Sequence, residues 1–185
     1  MRPDRRGAVA EPIKRRLLAT EPRLCARTQA LLLVDPQTGD VERIEPDALS
    51  TAEWGAAYER HVGLHFEARG FDVDYRGLRL GLLDQGIDLI ASRDGAALVY
   101  VQCKATSKRL GRQAIETILL KGGNFIAKRL ESCDNPPKPD FCLALLDADR
   151  NLTATNRHRF LRHNALQNRT TLSILSLPWT IVEEG

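Results

Sequence analysis

The stretch that decides the fold is Asp84-Gln85-Gly86-Ile87-Asp88-Leu89-Ile90-Ala91-Ser92-Arg93-Asp94-Gly95-Ala96-Ala97-Leu98-Val99-Tyr100-Val101-Gln102-Cys103-Lys104. Two apolar β-type runs, 87–91 and 98–101, flank an Asp-Gly pair, which is the signature of a hairpin. Strand side chains alternate faces. Leu98, Tyr100, Gln102 and Lys104 therefore share one face of the second strand, and Val99, Val101 and Cys103 share the other. Gln102 and Lys104 point the same way at a strand end. Whether Asp88 joins them depends on register. A loop of Asp94-Gly95 alone pairs Arg93 with Ala96 and leaves Asp88 opposite Val101, on the wrong face. A three-residue loop, 93–95 or 94–96, sets Asp88 opposite Tyr100 or Gln102. A one-residue slip inverts every side chain, and the longer loop is expected because it brings the polar groups together. A carboxylate, an amide and an amine at a strand end suit metal-assisted phosphodiester hydrolysis. The carboxylate holds a hard divalent cation, the cation activates a water and offsets phosphate charge, and the lysine orients the water or neutralises the transition state.

Outward from the hairpin, helical and strand periods organise the rest of the chain. Ser50 or Thr51 caps a helix in which Trp54, Tyr58, Val62, His65 or Phe66 and Arg69 recur at helical spacing, ending at Gly70. Glu59 lies at the edge of that apolar stripe, placed either at the site or on the surface. His61 and His65 stand four apart, as a metal pair would, but no third ligand accompanies them, so they read as ordinary helix histidines. Residues 71–75 alternate as a half-buried strand, and 77–86 form a glycine-bearing loop. Asp84, in that loop, either assists the site or stabilises a turn. After Lys104 a polar, basic connector enters a helix running to about Leu130, with Gly122-Gly123 marking a kink or a division into two helices. Residues 132–140 carry three prolines and read as a loop. Residues 141–146 read as a buried strand, 147–151 as a turn, 156–168 as a helix capped by Asn156, and 170–177 as the closing strand. Asp147 and Asp149 resemble half of a cation loop, without the later residues that an EF-hand needs.

The ordered stretches resemble the core of the PD-(D/E)XK nuclease superfamily, in particular its Mrr-like restriction-endonuclease branch. The matching residues are Gly86-Ile87-Asp88 and Gln102-Cys103-Lys104, preceded by the helix that opens at Tyr58-Glu59-Arg60 and leads through Arg69-Gly70-Phe71 into the first strand. The resemblance spans about residues 54 to 120. Ile87 stands where the name-giving proline would be, and Gln102 replaces the usual acidic residue. The resemblance implies an α/β fold, a three-layer restriction-endonuclease-like core with a mixed central β-sheet flanked by helices. Layer packing of the elements points the same way. It also implies a metal-dependent DNA endonuclease using Mg²⁺ or Mn²⁺. Asp88 would ligate the metal with help from Glu59, and the backbone carbonyl of Cys103 would complete the shell. Lys104 would position or activate the attacking water, and Gln102 would orient that water or ligate weakly. Gln113, a polar residue near the start of the helix after the catalytic strand, is the supporting residue by the same analogy.

The 185-residue length fits one domain with a modest extension. Residues 1–50 read as a basic N-terminal extension and 51–185 as the nuclease domain. The extension, with Arg2, Arg5, Arg6, Lys14, Arg15 and Arg16, reads as a phosphate-tracking arm, a solvated tail or a segment packed on the core. It holds a short helix from Glu11 and a hairpin around residues 35–40. The net charge of +3 is compatible with a DNA partner without demanding one. Lys108, Arg109 and Arg112 beside the candidate site, and Arg157, Arg159 and Arg162 on the most basic helix, are the candidate nucleic-acid contacts. Cys25, Cys103, Cys133 and Cys142 form no Cys-x-x-Cys pair and read as free thiols in a reducing, cytoplasmic setting. No apolar run suits a membrane span, and the N-terminus lacks the apolar core of a signal peptide. Cutting two strands with one candidate site per chain would favour a homodimer, though the sequence does not fix the oligomeric state. Two rival readings stay open. One is a nuclease-fold binding or assembly subunit without hydrolysis. The other is a structure-selective enzyme of the Holliday-junction-resolvase kind.

Overall fold

The computed structural model describes residues 11–81, 85–132 and 138–183. Arg2, Arg5, Arg6, Asp84 and Cys133 lie outside them. In chain order the elements are α1 (Glu11–Ala19), β1 (Glu21–Cys25), β2 (Leu31–Val34), β3 (Val41–Ile44), α2 (Thr51–Glu67), β4 (Asp72–Tyr75), α3 (Arg76–Leu80), β5 (Leu89–Arg93) and β6 (Ala96–Lys104). They continue with α4 (Arg112–Glu131), β7 (Asp140–Leu145), α5 (Ala148–Asn151), α6 (Ala154–Leu161), α7 (Asn164–Gln167), β8 (Thr171–Ser176) and β9 (Ile181–Val182).

The main sheet has the order β4-β5-β6-β7-β8 and is mixed. The β4-β5-β6 meander is antiparallel, and β6-β7-β8 run parallel. Helices cover both faces, as expected for the restriction-endonuclease-like fold. The alternation along β6 assigns the faces. Tyr100 packs with Ile115, Ile118, Leu119 and Phe141 under α4, while Val101 and Cys103 pack with Tyr58 and Val62 of α2.

The hairpin corrects the expected three-residue loop. Arg93 pairs with Ala96, so the turn is Asp94-Gly95 alone. Its residues have φ +52° and +76°, the left-handed pair that a type I′ turn requires and that Asp-Gly adopts readily. The ladder then shifts between Ala91 and Ser92. Ser92 faces Ala97, Ala91 faces Val99, and Leu98 is the extra residue of a β-bulge. The bulge supplies the one-residue offset that a longer loop was expected to supply. Beyond it Leu89 faces Val101, and Asp88 comes beside Gln102.

Helix α2 opens with a reciprocal capping box, in which Ser50 Oγ accepts from the Glu53 N–H at 3.3 Å and the Glu53 carboxylate accepts from the Ser50 N–H at 2.7 Å. It is buried on nearly every side, polar residues included, because it touches both the main sheet and a second one. The buried Arg60 donates to Glu67 at 2.9 Å and to the Tyr75 hydroxyl. His61 Nε2 meets the Pro178 carbonyl at 2.9 Å; burial lowers the imidazole pKa and favours the neutral ring. The histidine is thereby tied to the C-terminal strap.

The second sheet, β3-β2-β1-β9, includes the expected 31–44 hairpin. No local signal marks β1, whose Glu-Pro-Arg-Leu-Cys run lacks strand alternation. Tertiary pairing makes it a strand: β2 lies antiparallel on one side and β9 parallel on the other, with β9 beginning opposite Leu24 and so leaving Pro22 without a second neighbour. Ile13 and Leu17 of α1 and Leu31 and Leu33 of β2 share a core with α2.

Three further local corrections have visible causes. Helix α4 is continuous through Gly122-Gly123; the pair admits neighbours rather than breaking the helix, since a Cβ on Gly122 would overlap the Phe141 ring and one on Gly123 would lie 2.7 Å from Leu166. The expected helix 156–168 divides into α6 and α7. Its cap is Thr153, whose Oγ1 accepts from the Asn156 N–H at 3.2 Å, because Asn156 turns inward instead. Residues 77–80, expected as loop, belong to the short α3. Asp147 caps α5 by accepting from the N–H groups of Asp149 and Arg150, both at 3.0 Å, which is the work of an Asx turn rather than of a cation loop.

Asp140, at the start of β7, provides a stability test. Its Oδ2 accepts from the Ser173 hydroxyl, while Oδ1 is buried without a hydrogen-bond partner among the described residues. Burial raises its pKa against the opposing pull of Ser173. A raised folded-state pKa contributes stability below the unfolded value, about 3.9, and that stability is lost as pH rises through the folded value. Asp140→Asn should therefore unfold at higher urea than wild type at pH 7, with the gap closing towards pH 3.5. A gap that is unchanged or widens on acidification contradicts this.

Candidate active site

The site begins at the C-terminal end of β6. Asp88 is 4% exposed. Its Oδ2 accepts from the Cys103 N–H at 2.6 Å and from Gln102 Nε2. Its backbone is fixed as well: the N–H donates to the Val101 carbonyl at 2.9 Å, and the carbonyl accepts from the Gly77 N–H at 2.8 Å. Gln102 Nε2 also reaches the Cys103 carbonyl at 3.2 Å. Both partners are acceptors, so the amide nitrogen must be the atom that faces them. Gln102 thus orients the Asp88 carboxylate. Burial pushes the Cys103 thiol pKa well up, and the nearby Asp88 and Glu59 charges add to it. A neutral thiol leaves the residue to contribute through its backbone.

An open cavity of about 860 Å³ lies over this strand end. Glu59, Asp88, Gln102, Cys103, Lys104 and Gln113 all line it, together with the first turns of α2 and one face of α4. Six of the sequence-derived candidates are thereby brought together. Glu59 arrives from α2, and its Oε2 is buried against Gly77. A Cβ on Gly77 would overlap that carboxylate. The Gly77 backbone is not in the left-handed region, so Gly77→Ala should fold normally and push the Glu59 carboxylate aside. A roughly tenfold loss of the activity proposed below is expected, since misplacing a positioned group by about 1 Å costs up to 10²-fold. Wild-type turnover by Gly77→Ala would remove Glu59 from the machinery.

The candidate nucleic-acid contacts lie further out. Lys108 and Arg109 are exposed on the connector 105–111. That connector is tightly held. The fully buried Asn151 donates through Nδ2 to the carbonyls of Thr106 at 2.8 Å and Lys108 at 3.1 Å, and Asn156 donates to Leu110 at 2.9 Å. Arg112 pairs with Glu116 at 2.6 Å, Arg157 with Asp149 at 2.5 Å, and Arg159 lies 3.9 Å from Glu116. Arg162 borders a separate shallow groove with His158 and His163. Sequence reasoning missed Lys121, Thr117 and Thr106, which also line the cavity. The polar series Gln113, Thr117, Lys121 recurs every four residues on α4, and that spacing was the available signal.

Among the described residues no helix is long and apolar enough to cross a membrane. No curated protein and no solved structure matches the chain significantly. Residues 52–121 match the family model described as restriction endonuclease, the Mrr catalytic type. The match runs from the start of α2 to Lys121 of α4 and so takes in both β5 and β6. This segment, which carries the Gly-Ile-Asp and Gln-x-Lys strands at the cavity floor, is similar to the catalytic domain of Mrr-type restriction endonucleases.

Proposed function

We propose that the protein is a metal-dependent endonuclease that hydrolyses phosphodiester bonds in DNA. The observation that carries this reading is the gathering of Asp88, Glu59 and Lys104 in one open cavity within the family-matched segment. The donors fit a hard cation. The Asp88 and Glu59 carboxylates and the Cys103 carbonyl are all oxygen ligands. Among the described residues no three His, Cys, Asp or Glu side chains gather as a metal cluster. Mg²⁺ tolerates that, because it commonly keeps several waters and takes one or two carboxylates. A bound ion of this kind supplies positive charge at the phosphate and acidifies a water.

The chain's own residues do the rest. Gln102 holds Asp88 in one orientation. Lys104, on the same strand face two residues on, places its ammonium where charge develops on the phosphate or beside the attacking water. Gln113 offers the cavity a further polar group. In this reading residues 51–185 are the nuclease unit, and residues 1–50 are an extension whose described part braces α2. A homodimer delivers two such sites to a duplex, and a cytoplasmic setting suits the free thiols.

One observation favours a second reading, a binding or assembly subunit without hydrolysis. An amide, Gln102, stands where the superfamily usually has an acid, and it donates to Asp88 instead of offering an anionic ligand. Incubating the protein with linear, nicked, single-stranded and branched DNA in Mg²⁺, Mn²⁺ or EDTA separates the two. Cutting that needs the divalent ion supports the nuclease and identifies its substrate, branched preference marking the resolvase variant. Tight, metal-independent binding with no cutting replaces it with the binding subunit.

A further inference from the structure

The cations differ in their surroundings. Three of the arginines expected to touch nucleic acid already face carboxylates: Arg112, Arg157 and Arg159. The two lysines that line the cavity, Lys104 and Lys121, are in no ion pair among the described residues. Lys121 is exposed, yet its stem is fixed. A Cβ on Gly86 would lie 2.9 Å from Lys121 Cβ and 3.5 Å from Gln102 Oε1, and Gly86 has φ +82°. The glycine thus lets α4 close onto the strand that delivers Asp88, with Lys121 beside Gln102. Down the α4 wall, Lys121 stands about 12 Å along the helix from Gln113, at roughly 1.5 Å per residue. Lys104 lies two residues beyond Gln102 on β6, about 6.6 Å along the strand at roughly 3.3 Å per residue, so the cavity's positive charge comes from two elements, β6 and α4.

We propose that Lys121, seated against Gly86, forms a second phosphate subsite, which takes a backbone phosphate of the substrate strand next to the one placed at Asp88 and Lys104. The inference rests on the nuclease reading and deepens it. The substrate is an extended polynucleotide strand with more than one phosphate in the cavity, and the neighbouring phosphate fixes the strand's register. A flexible ammonium anchored at its stem acts as a point charge for a phosphate without reading sequence. Lys121 is a binding residue, so its loss weakens association more than it slows the bound complex.

The test is binding of a short labelled duplex to the full chain, with Ca²⁺ in place of Mg²⁺, as a function of salt. Lys121→Ala and Lys121→Gln should each weaken binding about tenfold at 0.1 M salt and lower the slope of log affinity against log salt by about 0.9, the loss of one phosphate contact. Lys121→Arg should keep both near wild type. Lys128→Ala, which removes an exposed cation of the same helix outside the cavity, should change neither. Wild-type affinity and slope in Lys121→Ala and Lys121→Gln overturn the subsite and leave the nuclease reading standing, and so does equal weakening by Lys128→Ala. A wild-type protein that does not bind the duplex at all brings down the nuclease reading, and the subsite falls with it.

Discussion

Lys104→Ala is expected to lower DNA cleavage by roughly 10³-fold, the scale for removing one preorganised charge-stabilising group, with folding intact. Lys104 ends β6, is half-buried, and makes no ion pair among the described residues. Truncating it strands no buried partner, so its structural cost is small. Its position is set by the register of β6 on β7, where Lys104 pairs with Leu145, and by the alternation that gives it the same face as Gln102. The variant should therefore show a wild-type unfolding midpoint and little change in affinity for DNA beyond one phosphate contact. Its loss should fall on turnover. Single-turnover cleavage with saturating protein reads turnover apart from binding. Undiminished cleavage would falsify the assigned role.

Asp88→Asn should abolish detectable cleavage, and the rise in unfolding temperature with Mg²⁺ that the proposed function predicts for the wild type should be absent from the variant. An ion that binds only the folded state stabilises it by RT ln(1 + [L]/Kd), about 2.7 kcal/mol at a hundredfold excess over Kd. The asparagine keeps an oxygen for the Cys103 N–H and the Gln102 amide, so the fold should survive while the charge is lost. Asp88→Ala takes away the acceptor as well. It leaves the buried Cys103 N–H unsatisfied and Gln102 Nε2 with only its 3.2 Å contact to the Cys103 carbonyl, and should cost about 1–3 kcal/mol more in denaturant unfolding. Comparing the two variants separates the ligand from the hydrogen-bond anchor. An Asp88→Asn protein that still cuts, or still gains stability from Mg²⁺, would move the metal elsewhere.

Much of this site is visible in the chain because it is local. The Gly-Ile-Asp and Gln-x-Lys segments lie on one hairpin, and a period of two suffices to place Gln102 with Lys104 and Cys103 with the α2 core. The sequence alone also suffices for α2 and the buried strand β7, and for α4 apart from its continuity through Gly122-Gly123. It left the hairpin register open, and the compensation there lies outside any turn rule. Asp-Gly closes in two residues, as its chemistry prefers, and Leu98 bulges to restore the face of Asp88.

What only the tertiary structure decided involves residues far apart in sequence. Residues 21–25 become a strand because β2 and the C-terminal β9 flank them, not through their own alternation. Gly122-Gly123 looks like a helix break until the Phe141 ring and Leu166 are seen to need the space. Glu59 reaches the cavity because Gly77, from another element, leaves room for its carboxylate, and Lys121 joins it because Gly86 lets α4 approach. Local periodicity reports which face a residue takes. Which partner waits on that face depends on packing between elements, and the short, glycine-spaced contacts that assemble this cavity carry no periodic signal.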